Sequence, residues 1–202
     1  MTPGLSSSCT AGLLLAAGAG RRMGGPKALL RDRDGTTFLL RAVRRLQQAG
    51  CAPVVVVLGA SADEGRAALA EAGRSGPPVR VVVAGDWAEG LGASLRAGLA
   101  ELAALPPEVE TVLVTLVDLP DVGVPVLRRV LGAGGGASGL VRASYHGRPG
   151  HPVLLGRDHW DGVAGAARGD EGARGYLTAH GVVGCECADL ATGRDVDRPA
   201  DL

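Results

Sequence analysis

A glycine-rich loop that carries positive charge stands near the start of the chain: Gly18-Ala19-Gly20-Arg21-Arg22-Met23-Gly24-Gly25-Pro26-Lys27. Glycines let backbone N–H groups approach phosphate oxygens with no Cβ in the way, and arginine and lysine supply the opposing charge. The loop therefore reads as a phosphate cradle. A Walker A loop would place Ser or Thr after its lysine, where this chain has Ala28. A dinucleotide fingerprint starting at Gly18 and Gly20 would need its third glycine where Met23 stands. Lys27 is the one lysine among 21 basic residues, the others all being arginine, so a compact ammonium is singled out at this position. The second group with chemical potential is Asp118. It follows the uncharged run Thr111 to Val117, so its carboxylate is expected at the carboxyl edge of a sheet, beside the loop, where it is placed to hold Mg²⁺.

Strands and helices must position these groups. From Gly12 onward, short β-branched or leucine runs alternate with longer helical stretches, the pattern of an α/β fold whose largely parallel sheet is covered by helices on both faces. Strands are predicted at Gly12 to Ala17, Pro53 to Leu58, Val79 to Ala84 and Thr111 to Val117. Each is nearly continuous in apolar residues, and all four are expected in central positions. Thr37 should cap a helix running through Ala49 and closed by Gly50, with Leu39, Leu40, Val43 and Leu46 at helical spacing. A further helix is expected from Gly92 to Leu105, ended by Pro106 and Pro107. Beyond Asp118 the pattern loosens. Gly132 to Gly139 reads as a turn, and the segments around Val141 and Val153 read as antiparallel partners that make the sheet mixed. A single domain over residues 12–202 is expected, preceded by a flexible leader at 1–11 that holds Cys9, with no internal repeat.

Composition narrows the partners. Acidic and basic residues balance at 21 each and aromatics make up 2%, which removes the charge footprint and the stacking surface of a nucleic-acid binder and leaves a small molecule. No apolar run approaches the roughly 20 residues that span a bilayer. The N-terminal apolar run has no positive charge before it, so the sequence reading is a cytoplasmic protein with no membrane partner. Cys9, Cys51, Cys185 and Cys187 form neither a zinc pattern nor a disulfide framework.

Leu15-Ala16-Ala17-Gly18, followed by Arg22-Met23-Gly24 and Lys27, resembles the signature loop of the nucleotidyltransferase superfamily that makes nucleotide sugars and nucleotide-activated cofactors. Further segments follow in that family's order: Gly90 with Ser94-Leu95, Asp118-Leu119-Pro120, Gly150-His151-Pro152-Val153, Gly169-Asp170 with Gly172-Ala173-Arg174, and Asp195-Val196-Asp197 with Pro199 and Asp201-Leu202. The set spans about residues 12–202 and is similar to the molybdenum cofactor cytidylyltransferase branch, although Arg198 stands where that family usually has Thr and Leu119 where Gln or Met is commoner.

The resemblance implies a three-layer, Rossmann-like nucleotidyltransferase fold. It also implies a Mg²⁺-dependent transfer of CMP from CTP to the phosphate of a small molecule, molybdenum cofactor, releasing pyrophosphate. It gives catalytic roles to Arg22, Lys27 and Asp118. Ala16, Ala17, Gly18, Arg22, Lys27 and Ser94 would contact the nucleotide, and His151, Asp170 and Arg174 the acceptor. Asp118 and Asp197 would hold the metal. Ala17 favours cytosine by the same likeness, since the guanylyl branch tends to have a second glycine there. A molybdoenzyme or its chaperone would receive the product. The nearest alternative is a guanylyltransferase of molybdenum cofactor or of a phospholactate-like acid. A nicotinamide-dependent reductase is a further alternative, but it calls for an acidic residue at the end of the second strand, where the chain reads Leu58-Gly59-Ala60.

Overall fold

The computed structural model describes residues 9–72 and 79–198; the first part of the expected leader, residues 1–8, and Pro199 with Asp201-Leu202 lie outside them. The strands are β1 (Cys9–Ala16), β2 (Val54–Leu58), β3 (Val79–Val83), β4 (Val109–Leu116), β5 (Leu140–Tyr145), β6 (Arg148–Gly156) and β7 (Val183–Glu186). They form one seven-stranded sheet in the order β3-β2-β1-β4-β6-β5-β7. β1 pairs in parallel with β2 and β4, and β2 with β3. The expected antiparallel pair is β5 with β6, and β6 also joins the sheet antiparallel to β4. The helices are α1 (Phe38–Ala49), α2 (Ala62–Ala72), α3 (Leu91–Ala103), α4 (Val124–Gly132), α5 (Trp160–Ala166) and α6 (Arg174–Ala179).

Beyond shifts of one or two residues at element ends, two features differ from the sequence reading. β1 takes in Cys9, Thr10 and Ala11, which had been assigned to the leader; Cys9 N–H donates to the Glu108 carbonyl, so pairing with the segment before β4 starts the strand early. β3 is an edge strand and not a central one. Its five residues are only partly covered, with Arg80 among them, whereas all five residues of β2 are buried. An apolar run says that a segment is a strand but not where it stands in the sheet.

Side chains alternate along each strand, and the alternation builds two cores. Leu14, Val56 and Leu113 pack on one face with Leu39, Val43 and Leu46 of α1 and Val126 and Val130 of α4. Leu13, Val55, Val57 and Val112 pack on the other with Leu95, Leu99 and Leu102 of α3 and Val163 of α5. α3 lies so close to the sheet that a Cβ at Gly98 would stand 2.5 Å from Leu13 Cδ1, so a larger residue there would push the Leu13 side chain aside. α1 begins where Thr37 Oγ1 accepts from Leu40 N–H and stops at Gly50, whose φ of 103° lies in the left-handed region. These contacts fix the carboxyl ends of β1 and β4 side by side, and the site is built there.

Candidate active site

The loop after β1 is shaped by its own backbone. Met23 N–H and Gly25 N–H both donate to the Gly20 carbonyl, and Gly20 has φ 59°, where a Cβ would collide with the Gly25 carbonyl oxygen. A Cβ at Gly18, by contrast, would meet nothing within 4 Å, so this glycine borders open space. That space is a cleft of about 470 Å³ between the loop, the start of α3 and the carboxyl end of β4. Ala16, Ala17, Gly18, Arg22, Lys27, Ser94, Asp118 and Asp197 all line it. The eight residues expected around nucleotide and metal are therefore brought into one cleft. Trp87 and Leu91 also line it and were not anticipated.

Lys27 stands between two carboxylates. Its Nζ donates to Asp118 Oδ2 at 2.7 Å and to Asp197 Oδ1 at 2.6 Å, and Arg22 lies 3.6 Å from the other oxygen of Asp197. Burial alone would lower the Lys27 pKa, but the two hydrogen bonds and the two negative charges raise it, so the ammonium stays charged. The Lys27 hydrogen bond in turn holds the Asp197 carboxyl below its ordinary value. Asp195 joins this group: one carboxylate oxygen from each of Asp118, Asp195 and Asp197 can be chosen so that all lie within 4.8 Å of one another. Three hard oxygen donors in that space suit Mg²⁺ or Mn²⁺.

The late segment that carries two of these acids is tied to β4. Val196, only 2% exposed, fixes it in the core, and its N–H donates to the Asp118 carbonyl at 3.0 Å. Asp121 holds it further along, accepting from both N–H and Oγ1 of Thr192. The turn that follows Asp118 is clamped from α1: Arg45 donates to the carbonyls of Pro120 at 2.8 Å, Val122 at 3.3 Å and Leu119 at 3.4 Å. The sequence reading places Asp195 in the family segment but assigns the metal to Asp118 and Asp197 alone. The usable signal was a valine between two aspartates, an apolar anchor with an acid on either side.

The three residues expected at the acceptor meet elsewhere. His151, Asp170 and Arg174 line a smaller cavity of about 80 Å³, and Asp170 with Leu15 and Leu91 forms the wall common to both spaces. Arg142, unforeseen in the sequence, is beside them. Burial, with the nearby Arg142 guanidinium adding to it, brings the His151 pKa down to about 4, so its ring is neutral near pH 7.

A mixed seven-stranded sheet with a glycine loop and convergent carboxylates at its carboxyl edge is a Rossmann-like nucleotidyltransferase fold. The chain belongs to the MobA-like NTP transferase family, whose domain matches residues 12–183. A nicotine blue oxidoreductase of Paenarthrobacter nicotinovorans is 39% identical over 198 residues, which cover 94% of this chain and 92% of that protein. Among solved structures, Rv0371c of Mycobacterium tuberculosis superposes with a TM-score of 0.77 at 30% identity over 96% of both chains. The same protein in complex with manganese superposes at 0.69 and 28%, over 90% and 89%. A nucleotidyl transferase from Methanothermobacter shares the fold with a TM-score of 0.76 at 24% identity, over 96% and 94%. None of the helices described is long and apolar enough to cross a membrane.

Proposed function

We propose that this enzyme transfers a nucleotidyl group, CMP from CTP, to the phosphate of a small-molecule acceptor, molybdenum cofactor, in the cytoplasm, with Mg²⁺ as the working cation. The observation that carries the reading is the convergence of Asp118 and Asp197 on Lys27 at the rim of the glycine loop, with the Asp195 carboxylate beside theirs. Asp118, Asp195 and Asp197 would hold Mg²⁺, which would supply charge neutralisation at the triphosphate. Gly18, open on the cleft side, lets phosphate oxygens come close to the backbone. Arg22, with a side chain 75% exposed, and Lys27 stand ready to take up charge on the leaving pyrophosphate. Ser94 and the backbone of Ala16 and Ala17 border the end of the cleft assigned to base and ribose. His151, Asp170 and Arg174 are assigned to the acceptor, and the product would pass to a molybdoenzyme or its chaperone. No protein nucleophile is required, because an acceptor phosphate held in line attacks directly and the protein contributes position and charge.

Calorimetric titration with CTP, GTP, ATP and UTP in Mg²⁺, followed by pyrophosphate release with molybdenum cofactor, tests this. CTP should bind most tightly; tighter GTP binding would overturn the choice of base in favour of the guanylyl alternative. The name of the 39% identical relative favours a second reading, an oxidoreductase. Against it, β2 ends at Leu58 with no acid following, and Gly59 is closed in by the Ala17 carbonyl and Trp87. Oxidation of NADH or NADPH by the purified chain in the presence of a redox dye, with no pyrophosphate released from any nucleotide, would establish that reading instead.

A further inference from the structure

The chain has two tryptophans, and they are placed differently. Trp160 is 3% exposed and its Nε1 donates to the Leu155 carbonyl at 3.1 Å, so it belongs to the core. Trp87 is half-buried and lines the larger cleft, where it is the one aromatic residue among the described residues. Phe38 and Tyr145 are buried, and Tyr176 stacks on His180. Trp87 packs against the apolar core beneath α3 without being enclosed by it. An indole left at the wall of a cleft offers a ligand a large, stiff contact surface.

Its neighbours fix that ring toward one end of the cleft. Trp87 opens the turn between β3 and α3, and Gly59, directly after β2, lies against it. A Cβ at Gly59 would stand 2.7 Å from Trp87 Cγ, 2.8 Å from Ala17 Cβ and 2.5 Å from the Ala17 carbonyl oxygen. Glycine at 59 therefore lets the indole settle beside Ala17, whose backbone borders the end of the cleft assigned to base and ribose. Ala88, Leu91 and Ser94, all uncharged, also line the cleft, whereas Lys27 is held by the carboxylates of Asp118 and Asp197. The turn itself is tied down. Arg96 of α3 donates to Asp86 Oδ2 at 2.8 Å and to Glu89 Oε2 at 2.9 Å, on either side of Trp87, and to the Ala167 carbonyl at 3.0 Å. Trp87 N–H donates to the Ala84 carbonyl, and Gly90 N–H to the Trp87 carbonyl.

We propose that Trp87 is a specificity-determining residue for the nucleotide: its indole closes the base end of the cleft beside Ala17, touches the nucleobase and limits it to a single pyrimidine ring. The proposal rests on the transferase reading and adds to it the residue that measures the base. Contact with an aromatic side chain holds any base, because every base has an apolar face. Choice arises from size. A purine carries a second fused ring, and a wall made of an indole backed by Gly59 and Ala17 and tied through Arg96 has little room to retreat from it. Hydrogen-bonding groups such as Ser94 then have only the two pyrimidines to tell apart, a task for which short polar contacts suffice.

Calorimetric titration of the full chain and of Trp87→Ala and Trp87→Phe with CTP and with GTP in Mg²⁺ tests this, beside thermal melts. In Trp87→Ala the CTP affinity should fall about tenfold, and the preference for CTP over GTP should narrow by about tenfold or more. Trp87→Phe should recover most of the CTP affinity. Mn²⁺ binding without nucleotide should be the same in all three, which separates loss of a base contact from collapse of the cleft. Tryptophan emission gives a second reading: CTP should change it saturably in the wild type, after correction for nucleotide absorbance, and not in Trp87→Phe, where only the buried Trp160 remains. A wild type that prefers CTP and a Trp87→Ala variant with the same preference would overturn the role of Trp87 alone, as would equal losses for both nucleotides. A wild type that prefers GTP, or binds neither nucleotide, would overturn the cytidylyl reading and this proposal with it.

Discussion

The two ends of β4 are held by the same device and have different consequences. At its start, Arg157 donates to four carbonyls, those of Ala103, Leu105, Pro106 and Val109, with its guanidinium 5.0 Å from the Trp160 ring centre. Beyond its finish, Arg45 donates to the three carbonyls of the turn after Asp118. Each arginine gathers several backbone oxygens from the chain at its end of the strand. No cleft residue stands near Arg157, so what it secures is the fold. Arg45 secures the turn that aims Asp118, so the same bonds set the geometry of a carboxylate. Which edge of a parallel strand a clamp grips, and not the chemistry of the clamp, decides whether it bears on function.

The largest effect expected is at the residue that separates the two ends. Asp118→Ala should reduce kcat by on the order of 10³-fold, as removal of a metal ligand and of the charge facing Lys27 would, with a melting temperature close to wild type. Steady-state turnover near wild type in this variant would remove the metal mechanism. Lys27→Arg comes next, at about 10²-fold in kcat. A planar fork cannot replace a compact ammonium that touches Asp118 and Asp197 together. A thermal melt separates this from damage: unaltered turnover would make Lys27 an ordinary loop charge, and a large fall in melting temperature would make its role structural.

The clamps themselves give smaller and opposite signatures. Arg45→Gln should weaken Mn²⁺ or Mg²⁺ binding about tenfold, in the range seen when an outer partner of a metal ligand is lost, and stability should fall only modestly. Arg157→Gln should cost about 1–2 kcal/mol in chemical denaturation, since several carbonyls lose their donor, and leave metal affinity and kcat per folded molecule unchanged. If the two variants gave the same metal titration curves, the distinction between the ends would collapse.

Much of this was legible from residue order. The buried parallel strands announced themselves through unbroken Val and Leu runs, and Thr37 and Gly50 bounded α1 as capping chemistry requires. The glycine loop, Lys27 and Asp118 could be put at one edge because strand polarity fixes where loops emerge. Three things were hidden for physical reasons. The edge position of β3 depends on pairing, which a single strand's composition does not encode. Arg45 and Arg142 were lost among 20 arginines of identical type, since a carbonyl clamp, a buried cation and a solvated surface charge look alike until their surroundings are known. Asp195 lay in an acidic stretch whose compactness comes from one buried residue, Val196.

The single bond from Val196 N–H to the Asp118 carbonyl has a temporal meaning. A ribosome delivers β1 to β4 and the glycine loop first, so a nascent chain can assemble the parallel half of the sheet, with Lys27 paired to Asp118 alone. The facing acids arrive only when residues 195–197 emerge, after the antiparallel strands have been added. If the sheet assembles in the order of its synthesis, docking of that segment is the last event in building the site, and the chain before it has one carboxylate of the cluster in place.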